Sequence, residues 1–359
     1  MKKHFLIMLL VLAMLLIGCA PTAAPSDKPA ADKPAASNDK KVEAAADPLI
    51  LTVATTAATS TDPESSIYYY AGLTLGEELE RVSGGQMGID FVMGGVYGST
   101  VQHFAQVKAG TLDVFISGFD VATNLEDGQG FFVAAAPYVF ENNEHLNMFL
   151  ESDIFAEMNE AIRKANGVFV SGLLFNQTPR ILTAKKPIVH PSEIQGIKIR
   201  VPDSQSQLTV WAAAGASPTL VAPSDMYSHL ETGIVDAQEN DVVASASFAL
   251  YEVTPYYMET NYMQQCFLAY MSDITWNKLT EQQQAWWNEA LAATCEKATA
   301  KWLGKYESAK QTAIDAGATF VEIDFDEWKE FFTQIVLDEL DGKYFPAGLY
   351  TEVQNLYNK

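Results

Sequence analysis

Basic residues are scarce in this chain: 23 Lys and Arg stand against 45 Asp and Glu, a formal charge of −22 over 359 residues. That balance excludes a nucleic-acid partner and an electrostatic hold on anionic lipid. Any anion site must then be a local exception built from a few arginines. Histidine is as sparse. His4, His103, His145, His190 and His229 show no metal-ligand pairing at helical spacing. There is no Gly-x-Ser-x-Gly elbow and no phosphate loop. Paired acids such as Glu77 and Glu78 fall where a solvated face is the default. The chain is therefore expected to be no enzyme and to need no metal and no cofactor. Cysteine is limited to Cys19, Cys266 and Cys295. The last two could pair in an oxidising compartment, but sequence alone brings no α-carbons within bonding range, and two buried thiols are expected. The apolar run from Phe5 to Ile17 is too short for an ordinary membrane-spanning helix.

That run has another use. It follows Met1-Lys2-Lys3 and leads to Leu16-Ile17-Gly18-Cys19, the order of a cleaved secretory signal. A cysteine after Leu-Ile-Gly resembles a bacterial lipobox. In that case residues 1–18 are a signal peptide, and Cys19 becomes the lipidated end of an extracytoplasmic protein held to a membrane by lipid alone. Residues 19–47 are rich in Ala, Pro, Lys, Asp and Ser, with almost no large apolar side chain. They cannot bury enough surface to offset ordering entropy and are expected to form a flexible tether.

The remainder is too long for one typical domain and suits two. Strand-like runs at 49–54, 87–92 and 112–116 alternate with helical patterns at 65–82 and 100–109. The order β-α-β-α-β predicts a parallel sheet with helices on both faces. Further strands are expected at 168–175, 197–201 and 234–236, and one long helical stretch from Trp276 to about Gln311.

The segment 192–240 is the most informative. Gly196 to Pro202 reads G-I-K-I-R-V-P, Gly215 to Thr219 reads G-A-S-P-T, and Thr232 to Asn240 reads T-G-I-V-D-A-Q-E-N. An arginine at the end of an apolar strand cannot lose its charge and needs an anionic partner. The three motifs, in this order and spacing, resemble the signature of TRAP-type (tripartite ATP-independent periplasmic) transporter substrate-binding proteins, the DctP-like family. Ser83-Gly84-Gly85 and Lys108 to Asp113 resemble that family as well.

The resemblance implies an α/β, two-lobed periplasmic-binding-protein fold with an interlobe ligand cleft and a long helix spanning both lobes. It divides the chain into 48–177 plus 265–305 and 178–264 plus 306–359, with hinges near Gln177 and Gln265. It implies capture of a small organic anion, with a carboxylate, and delivery to the permease subunits of an ion-gradient-driven TRAP transporter. A sensory or scavenging lipoprotein that feeds a receptor is the alternative. Arg200 would hold the ligand carboxylate through two parallel hydrogen bonds. Arg180, twenty residues earlier, would be a second binding arginine, and Asn240 would donate to the ligand. Asp241, where the family has Pro, would place a negative charge near the site. Tyr262 stands where many relatives have His and would be a polar contact. Phe119, Trp211 and Tyr138 would supply an aromatic wall. Gly118 occupies the place of a glutamate found in the family's sialic-acid binders, which argues against that ligand.

Overall fold

The computed structural model describes residues 47–64 and 66–357. The signal peptide, Cys19 and nearly all of the tether lie outside the described residues. Eleven strands are present among them: β1 Leu49–Thr55, β2 Met87–Val92, β3 Val114–Gly118, β4 Val168–Asn176, β5 Arg180–Ala184, β6 Lys198–Val201, β7 Ser217–Leu220, β8 Ala237–Asn240, β9 Tyr256–Met263, β10 Cys266–Ser272 and β11 Thr319–Val321. They form two sheets. The first has the order β2-β1-β3-β10-β4, and the second β11-β9-β5-β8-β6-β7.

The first three strands are parallel, as the β-α-β-α-β order predicts. The first sheet as a whole is mixed, because β10 runs antiparallel to both β3 and β4. Local chemistry sets its helices. Ser66 caps the helix Ile67–Ser83 by accepting from the Tyr69 N–H, and Gly84 ends it at φ 61°, a conformation that favours glycine. Ala71, Leu75 and Leu79, four residues apart, put one buried stripe of that helix on the sheet. The helix Thr100–Ala109 opens with a capping box between Ser99 and Gln102.

The second sheet departs further from expectation. The strand expected at 234–236 begins three residues later, as β8. Ile234 is exposed, and Gly233, at φ 77°, turns the chain ahead of it. The strand that pairs with both β5 and β6 is Ala-Gln-Glu-Asn. Its Gln238 and Glu239 are fully buried and are held by polar partners rather than by apolar packing.

The helical stretch expected from Trp276 to Gln311 is divided. Glu281–Leu303 lies on β4 and on the helix Ile67–Ser83. After Gly304 and Lys305 the chain continues as Tyr306–Asp315, where Lys310 reaches Glu259 of β9 at 2.6 Å. The helical run thus passes from the first sheet to the second. The strand connections pass between sheets at 177–179 and at 264–265, and the two lie side by side: the Gln177 N–H donates to the Gln265 carbonyl at 2.9 Å. No helix among the described residues is long and apolar enough to cross a membrane. Cys266 and Cys295 are both free thiols, the first buried and the second half-buried.

Trp287 shows how the long helix is fixed. It is fully buried, and its Nε1 donates to Ser171 Oγ on β4 at 3.1 Å. Trp287→Ala should lower unfolding free energy by about 3–5 kcal/mol, the range for large-to-small changes of buried aromatics. Denaturant titration measures this. A loss below about 1 kcal/mol would be that of an average substitution and would deny the side chain this role.

Candidate ligand-binding site

Parallel strands present their carboxyl ends on one side of a sheet, where ligands bind in open α/β folds. Here the two sheets turn those ends toward a shared cavity of about 490 Å³, within the range of small-molecule sites. From the first sheet it receives Thr55 to Ala58 after β1, the turn around Gly94, Gly95 and Gly98 after β2, and Ser117, Gly118 and Asp120 around the end of β3. From the second it receives Arg200 on β6, Leu220 and Val221 at the end of β7, and Asn240 closing β8. The antiparallel strands contribute their amino ends, Arg180 of β5 and Gln265 and Phe267 at β10. Arg180, Arg200 and Asn240 stand on three different strands and meet in one cavity.

The two arginines are in different states. Arg180 is buried and bound by its fork to Glu239: Nε to one carboxylate oxygen, and a terminal nitrogen to the other at 2.8 Å. The same terminal nitrogen reaches the Glu239 carbonyl at 3.0 Å. Tyr262 also donates to this carboxylate. Burial works against the Arg180 charge, but the Glu239 carboxylate outweighs it and holds the guanidinium above its ordinary value.

Arg200 is 1 % exposed. Its Nε donates to the Val221 carbonyl at 3.0 Å, which fixes the plane of the guanidinium. Among the described residues it forms no ion pair. Burial pushes it down to about 10 from an ordinary 12.5, and Glu239 offsets this only in part. A buried cation whose terminal nitrogens carry no carboxylate is able to take up an anion.

The profile of the bacterial extracellular solute-binding protein family 7 (DctP) matches residues 57–339. The chain belongs to this family. A solute-binding protein of Roseobacter denitrificans is 28 % identical over 261 residues, 73 % of this chain and 79 % of the relative. The fold is also similar to the crystal structure of a TRAP periplasmic solute-binding protein of Roseobacter denitrificans with bound L-galactonate. That likeness has a TM-score of 0.74 and 25 % identity, covering 86 % of this chain and 98 % of the other. A TRAP periplasmic solute-binding protein of Shewanella oneidensis, with bound succinate, shares the fold at TM-score 0.77 and 18 % identity, covering 87 % and 100 %. The protein is thus a two-lobed TRAP-type substrate-binding protein, a transport component and not an enzyme.

Against that family frame, the expected polar and aromatic contacts need correction. Tyr262 is fully buried, and its hydroxyl is engaged by Gln207 and Glu239. It supports Glu239 and does not line the cavity. Trp211 packs edge-on against Tyr262, with ring centres 5.3 Å apart, and against Phe332 at 5.5 Å. Phe119 is buried in the same core, and Tyr138 donates its hydroxyl to the Thr260 carbonyl at 2.8 Å. All four belong to the packed interior. The aromatic side chains that do line the cavity are Tyr68, Phe248 and Phe267. Sequence reasoning missed them, along with Asp120 and Gln265. The available signal was position for two of them: Asp120 lies two residues past the end of β3, and Gln265 two past the end of β9.

Asp241 lies behind the cavity wall, within electrostatic reach of Arg180. It is fully buried, and it is not among the cavity's lining residues. Its Oδ1 caps the helix Val242–Ser247 by accepting from Ala244 N at 2.9 Å, and it also accepts from Thr178 Oγ1 at 3.1 Å. Its Oδ2 has no partner. Burial pushes the carboxyl up to about 6 from 3.8, against the capping bond and the Arg180 charge. The folded state therefore takes up a proton more readily than the unfolded chain. The stability this lends is full below pH 3.8 and is lost as pH rises through about 6. Asp241→Asn keeps an oxygen for the cap and removes the ionisation. Denaturant unfolding of both forms should show the variant gaining on the parent by about 2–3 kcal/mol between pH 4 and pH 7. A difference that stays flat across that range would contradict the buried ionisation.

Proposed function

We propose that this protein captures a small organic anion through a carboxylate held by Arg200 and delivers it to a TRAP-type permease driven by an ion gradient. The observation that carries this reading is the buried, unpaired Arg200 guanidinium in a cavity shared by both sheets. The galactonate-bound relative named above supports the ligand class. Asn240 adds a neutral amide beside the cation, and Arg180, already paired with Glu239, orients the site more than it neutralises ligand.

The two sheets act as the two lobes, 48–177 plus 265–305 and 178–264 plus 306–359. The strands of the first sheet fall in 49–176 and 266–272, those of the second in 180–263 and 319–321. A ligand that touches both lobes favours the closed arrangement, with the paired crossings at Gln177 and Gln265 as hinge. The lipid anchor at Cys19, outside the described residues, keeps the protein at the membrane that holds the permease.

Arg200→Ala should weaken binding of the co-purifying ligand, identified by mass spectrometry, by about 2–5 kcal/mol, the range for one partner of a buried charge pair. That is roughly thirty-fold or more. Arg200→Lys should also weaken it, because an ammonium cannot match two coplanar oxygens. Calorimetry decides: a folded Arg200→Ala protein that binds within about threefold of the parent, or a natural ligand without an acidic group, would sink the assignment. For the anchor, Cys19→Ala should move the protein from the membrane fraction to the soluble fraction of expressing cells. Retention in the membrane would refute lipidation at this residue.

A further inference from the structure

The charges around the cavity are few, and their pairing can be followed one by one. Among the described lining residues there are two arginines, Arg180 and Arg200, and two acids, Asp120 and Asp203, with no lysine and no histidine. Arg180 is matched by Glu239. Only Arg200 remains to meet a ligand charge. Once a carboxylate occupies it, a second negative charge on the ligand would find no free cation. It would face Asp120 and Asp203 instead, in a protein of net charge −22. The helix that begins at Thr100 adds no formal positive charge, and its capping box already engages the Gln102 N–H with Ser99 Oγ and the Ser99 N–H with Gln102 Oε1.

Asp120 points to what the rest of the ligand carries. It is 2 % exposed. One carboxylate oxygen accepts from Gln265 Nε2 at 3.2 Å. The other has no protein donor among the described residues. A carboxylate can only accept, so a buried one calls for donors. Gly118 lies beside it, and a Cβ there would run into Asp120 Oδ1 and come within 3.0 Å of Gln265 Nε2. The missing side chain leaves the Asp120 carboxylate and the Gln265 amide room at the cavity wall.

We propose that the cavity selects a singly charged, hydroxylated carboxylic acid, with Arg200 taking the carboxylate and Asp120 accepting from a ligand hydroxyl, and that it rejects dicarboxylates and phosphate esters. This rests on the reading of Arg200 as the carboxylate anchor. The second half of the selection is exclusion by unpaired like charge, a repulsive element set against the wrong ligand.

Titration calorimetry on the purified protein tests it with L-galactonate, D-gluconate and D-glucuronate as hydroxylated monoanions. Hexanoate serves as a monoanion without hydroxyls, and succinate and sn-glycerol 3-phosphate as dianions. At least one hydroxylated monoanion should bind. The dianions should bind at least about a hundredfold more weakly, the order expected where like charges are brought together. Hexanoate should bind about tenfold more weakly or worse, from the lost hydrogen bond to a charged group. Asp120→Asn, checked for folding by circular dichroism, should narrow the gap between dianions and monoanions by about tenfold. Either dianion binding within threefold of the best monoanion would overturn the selection. If best-monoanion binding is lost in Arg200→Ala along with it, the carboxylate anchor survives. If it is kept, both readings fall. Absence of binding by every hydroxylated monoanion would overturn the inference as well.

Discussion

The buried pair of Arg180 and Glu239 sets the terms for everything around the cavity. Removing one partner would leave the other charge buried and unpaired, at a penalty of about 3–5 kcal/mol. Together they join the amino end of β5 to the neighbouring strand β8. The Tyr262 hydroxyl, donating to the same carboxylate, ties this pair to β9. The arrangement is therefore both a joint within the second sheet and the reason the cavity's two cations differ. One has its counter-ion built in, and the other is left open.

That division of labour explains why Arg200 can be buried at all. Its Nε is held by a backbone carbonyl and its neighbours on β6 are apolar and buried. The guanidinium keeps its planar fork and gives up only part of its proton affinity, which still lies far above neutral pH. A lysine at the same place would be a point charge on a flexible stem. The geometry therefore depends on the residue type as well as on the charge.

Much of the first sheet is legible in the sequence. Its first three strands show as apolar runs between glycine-bounded helices. The arginine of β6 stands out as well, because its neighbours are so apolar. The second sheet is harder to read, for a physical reason. Its strand β8 is Ala-Gln-Glu-Asn, so the usual apolar signal is missing where burial is greatest. The nearby Ile234 and Val235 supply a false one. Tyr262, Trp211, Phe119 and Tyr138 are misplaced by sequence reasoning because composition cannot separate an aromatic side chain packed beneath a cavity from one that faces it. Asp120 escapes notice, and Gln265 is read only as a hinge, because the site is assembled from strand ends that are far apart in sequence. Only the order of strands in the sheets brings those ends together.

The order β2-β1-β3-β10-β4 has a consequence for how the chain is made. β10 is an inner strand of the first sheet, yet it arrives only after the five strands β5 to β9 of the second. A chain that emerges from its amino end thus exposes the open edges of both β3 and β4 until some ninety further residues have followed β4. Unpaired edges of that kind invite wrong partners. The first sheet can therefore be completed only when about three quarters of the chain is out.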